Sequence, residues 1–476
     1  MVYSRQKIFI LSYLSIFILL SALFYKWDLL FFDSAYYLRI GFDGIKNYAK
    51  LQDRMINHLF IYFTIKLSGG PSMAAFFILR NCYRLIMAAS LFIWWLILRR
   101  FTYNKEQRIW LALLLVSSPV FLYTLNQIVP DHFQLLFNGL AILIFLKGVE
   151  IDFLPLQFFS GVAIYLAFLS RSDALLLPAS LFAALLAFAY KPRRFLFKHL
   201  AVTMASCLPL FLMHFVSLAA DHLNVAPMLN LIVAFGRTTD IANSIKYQLI
   251  KAGGCNFIFA VFSVMALRHD RNVRIIFLAT VLAYIPILVF ILMGFSMIER
   301  HTIQGALLLS FLAAVGLQDI ISRLNKVPVF LMLIAMCLAI FANIICANHM
   351  TGGVDVKGAY TLIDRVEKKY PGAILLVSDD PTYFFLHFNY PVKNWIYYAY
   401  AGYPTEKKTF VEYFKKKYKD TYISGREDLV DKQASGIFYV GIREFSALGD
   451  DRKIIFRECP LLGTYKGLPV QELILN

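Results

Sequence analysis

The chain is short of acidic residues and lacks the short motifs of several enzyme classes. It holds 30 aspartates and glutamates against 47 lysines and arginines, a formal net charge of +17. No Walker loop, GxGxxG fingerprint or HExxH motif occurs, so the sequence predicts no P-loop, Rossmann or zincin site. The basic residues lie between apolar runs, where they are typical of topology signals and of contacts with anionic lipid. We therefore expect membrane lipid, and no nucleic acid, as a partner.

Cysteine is also scarce and is not arranged for cross-linking. The chain has six cysteines and none forms a CxxC pair, which argues against both a disulfide framework and a thiolate metal site. No Asn-x-Ser/Thr sequon occurs. This absence favours a bacterial inner membrane over the endoplasmic reticulum.

What the chain has in abundance is apolar sequence. Hydrophobic residues make up 59% of it and the mean hydropathy is +0.63, whereas soluble domains average about 45–50% apolar residues. A span needs about 20 apolar residues, so we expect a mainly α-helical polytopic membrane protein with about 11 transmembrane helices. The candidate spans are 8–24, 77–98, 109–125, 132–147, 155–170, 174–190, 200–220, 255–267, 275–294, 302–317 and 328–347.

The distribution of lysine and arginine predicts the orientation in the membrane. The loops 99–108, 191–199 and 268–274 are basic, whereas the loop 126–132 contains no lysine or arginine. Because cytoplasmic loops carry the excess of these residues, we expect a cytoplasmic N-terminus. A long first loop, 25–76, would then lie outside the cytoplasm.

The segment after the last span has a different character. Lysines return, apolar runs shorten, and the stretches 373–380 and 436–442 predict buried strands. A helix is predicted over 358–372, ending at a Pro-Gly pair. We expect two domains: a transmembrane domain over 1–348 and a small soluble extracytoplasmic α/β domain over 349–476.

The first outer loop carries residues that a plain connection does not need. Asp33 begins a predicted amphipathic helix, with Tyr36 and Tyr37 three and four residues further on and therefore beside it. The carboxylate either caps this helix or is a functional group. Arg54 and His58 have the same four-residue spacing on a predicted interfacial helix.

Two further charged residues lie at the outer ends of predicted spans. Asp131 follows a proline and begins a span, so it is either a helix N-cap or the partner of Asp33 in an outer carboxylate pair. Such a pair can share a general-base role or bind a divalent cation. The sequence does not decide whether the protein requires a metal ion. Arg171 either reaches lipid headgroups or binds a lipid phosphate.

Other cations lie in or beside the spans. Arg84 stands one turn after Arg80 in the second span, and such a charged pair must face protein or water rather than lipid. Arg300 stands at the outer edge of the tenth span, between Glu299 and His301. Adjacent helical residues do not face each other, so Glu299 is not expected to pair with Arg300. We therefore expect Arg300 to bind a phosphate or a headgroup.

Four stretches resemble, in chain order, the motifs of polytopic glycosyltransferases of the GT-C superfamily, which includes protein O-mannosyltransferases and the lipid A aminoarabinose transferase. The chain departs from the usual pattern at His301, where tyrosine is common, and at Gln304, where proline is common. The stretches are DSAYYLRIG (33–41), LALLLVSSPVFLYTLNQIVPDHFQLLFNGLAI (111–142), GVAIYLAFLSRSDALLLPASL (161–181) and IERHTIQGALLLSFLAAVGL (298–317).

The resemblance implies a GT-C-like fold and inverting transfer of a sugar from a polyprenyl-phosphate-linked donor to a glycan, lipid or protein acceptor outside the cytoplasm. It implies Asp33 as the catalytic base, within hydrogen-bond reach of the acceptor proton. Asp131 would orient the acceptor or the base, or bind a divalent ion. Preorganised cations would stabilise the departing lipid phosphate; the candidates are Arg171, Arg300, Arg54 and Arg84. The side chains expected to line the substrates are Tyr36, Tyr37, His58 and His301.

Two other classes stay open. An O-antigen-type polymerase or ligase would use a similar lipid-linked substrate and would differ in transferring a block rather than one sugar. A transporter or flippase is expected to place polar groups and broken helices near the bilayer midplane, in two related halves. Here the charges gather at one face and no internal repeat is evident, which favours the glycosyltransferase.

The orientation can be tested in the loop 99–108. In a cysteine-depleted chain, Lys105→Cys is expected to react with a membrane-impermeant maleimide only when the cytoplasmic face is accessible, because the loop lies on that side. Lys416→Cys, in the predicted outer domain, is the control and is expected to react in intact spheroplasts. Labelling of the Lys105→Cys chain in intact spheroplasts would invert the topology.

Overall fold

The structure is a computed structural model that describes most of the helical part of the chain and separate strands of the C-terminal part. The described residues are 29–31, 34, 37–38, 54–70, 73–125, 127–188, 190–220, 245, 253–292, 302–323, 329–349, 353–355, 365, 368–369, 374–377, 395–397, 437–440, 454–458, 464–465, 468–469 and 471–475. The first predicted span, 8–24, lies outside these residues.

Helices dominate, and we number them in chain order. They are α1 Met55–Leu67, α2 Met73–Leu98, α3 Lys105–Val116, α4 Pro119–Thr124, α5 Asp131–Ile151, α6 Pro155–Ser170, α7 Leu176–Ala187, α8 Arg193–Ala220, α9 Cys255–Phe262, α10 Arg271–Leu292, α11 Ile303–Arg323 and α12 Val329–His349. Among the residues described, three segments are 3-10 helices: Arg99–Phe101, Ser172–Leu175 and Ser263–Arg268.

Five of the helices, α2, α5, α8, α10 and α11, are long and apolar enough to cross a membrane among the residues described. The predicted count of eleven spans stays a prediction. The predicted continuous span 109–125 is wrong in detail: it is broken into α3 and α4 at Ser117 and Ser118. Pro119 begins α4, and proline, which lacks a backbone N–H, favours the first turn of a helix over its interior.

Hydrogen bonds between helices fix their relative directions. On α2, Ser90 Oγ donates to the His132 carbonyl at 3.3 Å and Trp94 Nε1 to the Leu135 carbonyl at 3.0 Å, so α2 and α5 run the same way. Ser160 Oγ donates to the Ala141 carbonyl at 2.9 Å, and Gln157 Nε2 to the Phe145 carbonyl at 3.2 Å. The helices α5 and α6 are therefore antiparallel.

These directions define two ends of the helix bundle. We call the end where α5 and α11 begin the carboxylate end, because Asp131 and Asp173 lie there. The opposite end is the basic end, where residues 99–104, 150–152 and 268–274 come together. There Arg100 Nη1 pairs with Glu150 at 2.5 Å, and Asn272 Nδ2 donates to the Phe101 carbonyl at 3.4 Å. Which end is cytoplasmic stays a prediction.

The bundle core is continuous and closely packed. Trp94 and Phe311 are fully buried within one apolar cluster that joins most of the helices. Where α9 meets α11, a Cβ at Gly316 would lie 1.9 Å from the Phe259 carbonyl oxygen. Only glycine permits this approach. Beside it, the amide of Asn256 donates to the Leu114 carbonyl at 3.0 Å and to Ser310 Oγ at 3.1 Å, which ties α9 to α3 and α11.

The chain divides into two compact units. The first comprises Met1–Tyr25, Gly44–Phe60 and Leu79–Thr351; the second comprises Lys26–Asp43, Ile61–Ile78 and Gly352–Asn476. In the second unit, β1 (Leu29–Phe31) pairs antiparallel with β2 (Gly353–Asp355). A strand from the first predicted outer loop thus joins the start of the C-terminal segment.

The C-terminal segment contains a mixed five-stranded sheet of β3 (Ile374–Val377), β4 (Trp395–Tyr397), β5 (Ile437–Val440), β6 (Ile454–Glu458) and β9 (Gln471–Leu475). The strand order is β4-β3-β5-β9-β6. Strand β3 is parallel to β4 and β5, and β9 is antiparallel to β5 and β6. Strands β3 and β5 lie within the two stretches predicted to be strands. A separate soluble α/β domain over 349–476 stays a prediction. A hairpin of β7 (Thr464–Tyr465) and β8 (Leu468–Pro469) lies between β6 and β9 in sequence.

The close contact of α9 with α11 can be tested with a single methyl group. Gly316→Ala is expected to lower the free energy of unfolding by about 1–3 kcal/mol, because the helices must move apart to admit the Cβ. Thermal unfolding of the purified protein in detergent measures the change. Ser322→Ala, on an exposed part of the same helix, is the control and is expected to stay within about 0.5 kcal/mol. Equal stability of the two variants would contradict the tight contact.

Candidate active site

The central feature of the carboxylate end is one arginine bound by two aspartates. Arg171 has an extended backbone between α6 and the 3-10 turn Ser172–Leu175. Its Nη1 donates to Asp131 Oδ1 at 2.6 Å, and its Nε and Nη2 donate to the two oxygens of Asp173 at 2.7 and 2.8 Å. The second contact is bidentate, the geometry in which a guanidinium binds a carboxylate most specifically. We call these three residues the Arg171 network.

The Arg171 network is buried on one side and reaches solvent on the other. The side chains of Asp131, Arg171 and Asp173 are 0%, 9% and 34% exposed. A charge of this burial is tolerated only when it is paired and hydrogen-bonded. The network has two carboxylates for one guanidinium, a formal charge of −1, and Asp173 is the carboxylate that a ligand can reach.

Three side-chain amides hold the turn that carries Asp173. Gln134 Nε2 donates to Asp173 Oδ1 at 3.2 Å, Asn138 Nδ2 to the Ala174 carbonyl at 2.9 Å, and Gln304 Nε2 to the Asp173 carbonyl at 3.1 Å. Within the described ranges, the amide oxygens of Gln134, Asn138 and Gln304 accept no hydrogen bond from protein. Each buried oxygen therefore retains acceptor capacity for a water or a ligand hydroxyl.

The geometry decides between the alternative roles of Asp131 and Arg171. Pro130 occupies the N-cap of α5, and Asp131 is the first helical residue, with its carboxylate on Arg171. The N-cap interpretation of Asp131 is therefore wrong. Arg171 as a whole residue is 7% exposed, and its guanidinium is held by Asp131 and Asp173.

A buried polar and aromatic group borders the Arg171 network. The hydroxyl of Tyr83 on α2 donates to Asn57 Oδ1 on α1 at 2.5 Å. The Tyr83 ring also lies edge-to-face against the His132 ring, with centroids 5.5 Å apart. His132 directly follows Asp131, and its Nδ1 lies 3.1 Å from the Val129 carbonyl, which it can only approach as a donor. These contacts bring the first turn of α1 to the start of α5.

The other predicted cations of this region are buried or partly buried. Arg80 and Arg84 are 2% and 9% exposed, which confirms that the pair faces protein rather than lipid. Arg54 precedes α1 with a positive φ of 67°, and its carbonyl accepts the His58 amide at 3.2 Å. His58 is 2% exposed. Arg84 and His58 each adjoin a member of the Tyr83–Asn57 hydrogen bond in sequence, so both lie beside this group.

The structure brings some of the predicted site residues together and does not describe others. Asp131 and Arg171 are in direct contact. Tyr37 is buried in the second compact unit. Among the described residues, no group of three or more His, Cys, Asp or Glu side chains could hold a metal ion. The predicted residues that lie outside the described ones are Asp33, Tyr36, Arg300 and His301.

Neither Asp173 nor the amides that hold it were among the site residues predicted from the sequence. A signal for them was present. Asp131, Gln134 and Asn138 recur at intervals of three and four residues in an apolar helix, and this spacing places them on one face. A polar stripe at the start of an otherwise apolar span indicates a buried polar neighbour.

Fold and site together define the class: a helical protein with helices long and apolar enough to cross a membrane and a charged network at one end of the bundle. A family model described as dolichyl-phosphate-mannose-protein mannosyltransferase matches residues 56–217. This range covers less than half of the chain and contains the whole Arg171 network. No curated protein sequence matches the chain significantly.

Solved structures extend the similarity to nearly the full chain. ArnT from Cupriavidus metallidurans bound to undecaprenyl phosphate has a TM-score of 0.62 at 13% identity, over 98% of each chain. The apo form of that protein has a TM-score of 0.57 at 12% identity, over 92% of this chain and 93% of ArnT. The match and the shared fold confirm the resemblance to the GT-C superfamily.

The fold is also shared, less completely, with the oligosaccharyltransferase of Archaeoglobus fulgidus, whose structure was solved with a tethered acceptor peptide containing an NVT sequon. The TM-score is 0.51 at 13% identity, over 79% of this chain. This chain spans 63% of the length of that protein, less than two thirds.

The Arg171 network predicts an asymmetry between two ion pairs. Arg171→Met is expected to lower the free energy of unfolding by about 3–5 kcal/mol, because it removes the guanidinium that pairs with the buried Asp131 carboxylate. The matched control, Arg100→Met, breaks the more exposed pair with Glu150 and is expected to cost about 0–1 kcal/mol.

Thermal unfolding in detergent compares the two variants. The double variant Arg171→Met/Asp131→Asn is expected to regain part of the loss, because the buried carboxylate that Arg171 pairs with is then also removed. Equal costs for Arg171→Met and Arg100→Met would show that the Arg171 network is not a buried ionic structure.

Proposed function

We propose that the protein is an inverting membrane glycosyltransferase. In this proposal it transfers a hexosyl or pentosyl group from a polyprenyl-phosphate-linked donor to a glycan, lipid or protein acceptor outside the cytoplasm, in a bacterial inner membrane. The observation that carries the proposal is that the chain shares its fold, over 98% of each chain, with a protein whose structure contains undecaprenyl phosphate. The buried Arg171 network supplies chemistry that suits a sugar substrate.

The proposed division of roles follows from charge. Inverting transfer needs a base for the acceptor proton and passes through an oxocarbenium-like state. Asp33 is the proposed base. A negatively charged network suits this transition state as well, because Asp173 presents a fixed carboxylate to sugar hydroxyls or to the developing positive charge. Asp131 then acts as a positioning residue, since its contact with Arg171 orients Asp173.

The departing donor phosphate gains negative charge, which nearby cations are expected to stabilise. The Arg171 guanidinium binds two carboxylates, and this favours a positioning role over the phosphate contact that the resemblance implied. Arg84, Arg54 and Arg300 are the proposed phosphate-binding residues. Preorganised cations of this kind stabilise the charge that gathers on a leaving phosphate.

If Arg84 binds the donor phosphate, its loss weakens lipid binding, whereas the loss of a positive charge at the basic end does not. Arg84→Gln is expected to weaken binding of undecaprenyl phosphate at least roughly tenfold, since a charge-assisted hydrogen bond is lost. The control Arg100→Gln removes one positive charge at the basic end and is expected to leave binding unchanged. Quenching of intrinsic tryptophan fluorescence during titration with the lipid measures both. Equal affinity of the two variants would remove Arg84 from the phosphate site.

The reaction itself is tested by comparing surface and lipid-linked glycans by mass spectrometry in a deletion strain. The strain is complemented with the wild-type chain, with Asp33→Asn or with Arg100→Gln. We expect the deletion to lose a single sugar, which wild type and Arg100→Gln restore and a normally expressed Asp33→Asn does not. Full restoration by Asp33→Asn would exclude Asp33 as the base. Loss of a whole repeat block would indicate a polymerase or ligase, and unchanged glycans with altered lipid distribution would indicate a transporter.

A further inference from the structure

An open groove runs along the hairpin formed by α9, the 3-10 segment Ser263–Arg268 and α10. Its volume is about 280 Å³. One wall is formed by Phe257, Ala260, Val261 and Val264, the other by Phe277, Thr280, Val281, Tyr284, Ile285 and Leu288, and the floor by Leu309 and Leu312 of α11. Every lining residue belongs to the first compact unit.

The groove has the chemistry of a hydrocarbon site. Among the described residues that line it, only Thr280 and Tyr284 carry a polar side-chain atom, and the Thr280 hydroxyl donates a hydrogen bond to the Ile276 carbonyl at 2.7 Å. Val261, Val281 and Ile285 are 56%, 39% and 44% exposed. Apolar side chains of this exposure on a membrane helix face the lipid, and a concave patch of them fits an alkyl chain.

Three arginines lie where the groove approaches the basic end. Arg274 precedes Phe277 by one helical turn and so lies on the groove face of α10. Arg268 ends the 3-10 segment four residues after Val264, and Arg271 begins α10. All three are exposed. The guanidinium of Arg274 also lies over the Phe188 ring, 5.5 Å from its centroid.

The one acidic residue in this turn is engaged elsewhere. Asp270 Oδ1 accepts the Asn272 and Val273 amides at 2.7 and 3.1 Å and also the hydroxyl of Tyr103. Burial, with the hydrogen bond to Asp270, raises the pKa of Tyr103 to about 12, so this hydroxyl stays a donor at physiological pH. Within the residues that the structure describes, the three arginines make no ion pair with a carboxylate.

We propose that this hairpin binds an anionic glycerophospholipid, with the lipid phosphate at Arg268, Arg271 and Arg274 and one acyl chain in the groove. Arginine binds phosphate through its planar fork of donors. The apolar groove begins one helical turn from these side chains, which matches the short distance between the phosphate and the acyl chains of a glycerophospholipid. The headgroup site lies at the basic end, opposite the Arg171 network. It is therefore a lipid site separate from the one proposed for the sugar donor.

Native mass spectrometry of the full chain tests the proposal, after purification with equimolar phosphatidylglycerol and phosphatidylcholine and a detergent wash. Wild type is expected to retain phosphatidylglycerol about tenfold or more over phosphatidylcholine. The variant Arg268→Gln/Arg271→Gln/Arg274→Gln is expected to lose this preference. The control Lys191→Gln/Arg193→Gln/Arg194→Gln removes three exposed charges from the same end of the bundle, away from the groove, and is expected to keep it.

Two further variants keep the test decisive. The double variant Arg268→Gln/Arg271→Gln leaves the Arg274–Phe188 contact intact and replaces the triple variant if that one does not fold. It is expected to reduce the preference for phosphatidylglycerol. Val281→Trp fills the groove and is expected to lower retention of both lipids. If the Lys191 control and the Arg268 triple variant lose the preference for phosphatidylglycerol equally, the preference comes from general surface charge, and the proposal is overturned. Unchanged retention by Val281→Trp would overturn the placement of the acyl chain.

Discussion

The carboxylate end of the bundle depends on the pairing of Arg171 with Asp131 and Asp173. None of these charges could stay in place alone, since a buried charge without a partner destabilises a protein by several kcal/mol. Because the three residues come from the start of α5, the end of α6 and the following turn, their pairing fixes these elements against each other. The amides of Gln134 and Gln304 then hold Asp173 from two further sides.

The two ends of the bundle differ in how far their charged side chains are buried and paired. At the carboxylate end, charged groups are buried, paired and held by amides, which keeps Asp173 in one orientation. At the basic end, Arg268, Arg271 and Arg274 are exposed, and the single carboxylate of that turn is held by Tyr103. The buried network suits the sugar substrate that we propose, whereas exposed cations beside an apolar groove suit the proposed phospholipid. The apolar core separates the two ends.

Much of the fold could be predicted from hydrophobic periodicity and length, and the helix breaks could not. The predicted limits of the fifth span, 155–170, coincide with α6, whereas 109–125 is two helices separated by Ser117 and Ser118. Hydropathy averages over a window and does not register a break of two residues. Asp131 and Arg171 were each singled out from sequence, but as separate candidates for different ligands. Nothing in a separation of 40 residues indicates that one binds the other.

The sequence by itself determined the class of protein, through apolar runs that must leave water and charged residues at the ends of the predicted spans. Composition and order suffice for these properties, because transfer of a helix to lipid depends on its own side chains. The tertiary structure alone decided which charges meet. It turned Arg171 from a candidate phosphate ligand into the partner of two carboxylates, and it placed an apolar groove beside three arginines. Such outcomes depend on distances between segments far apart in the chain, and those distances are set by packing rather than by any local pattern.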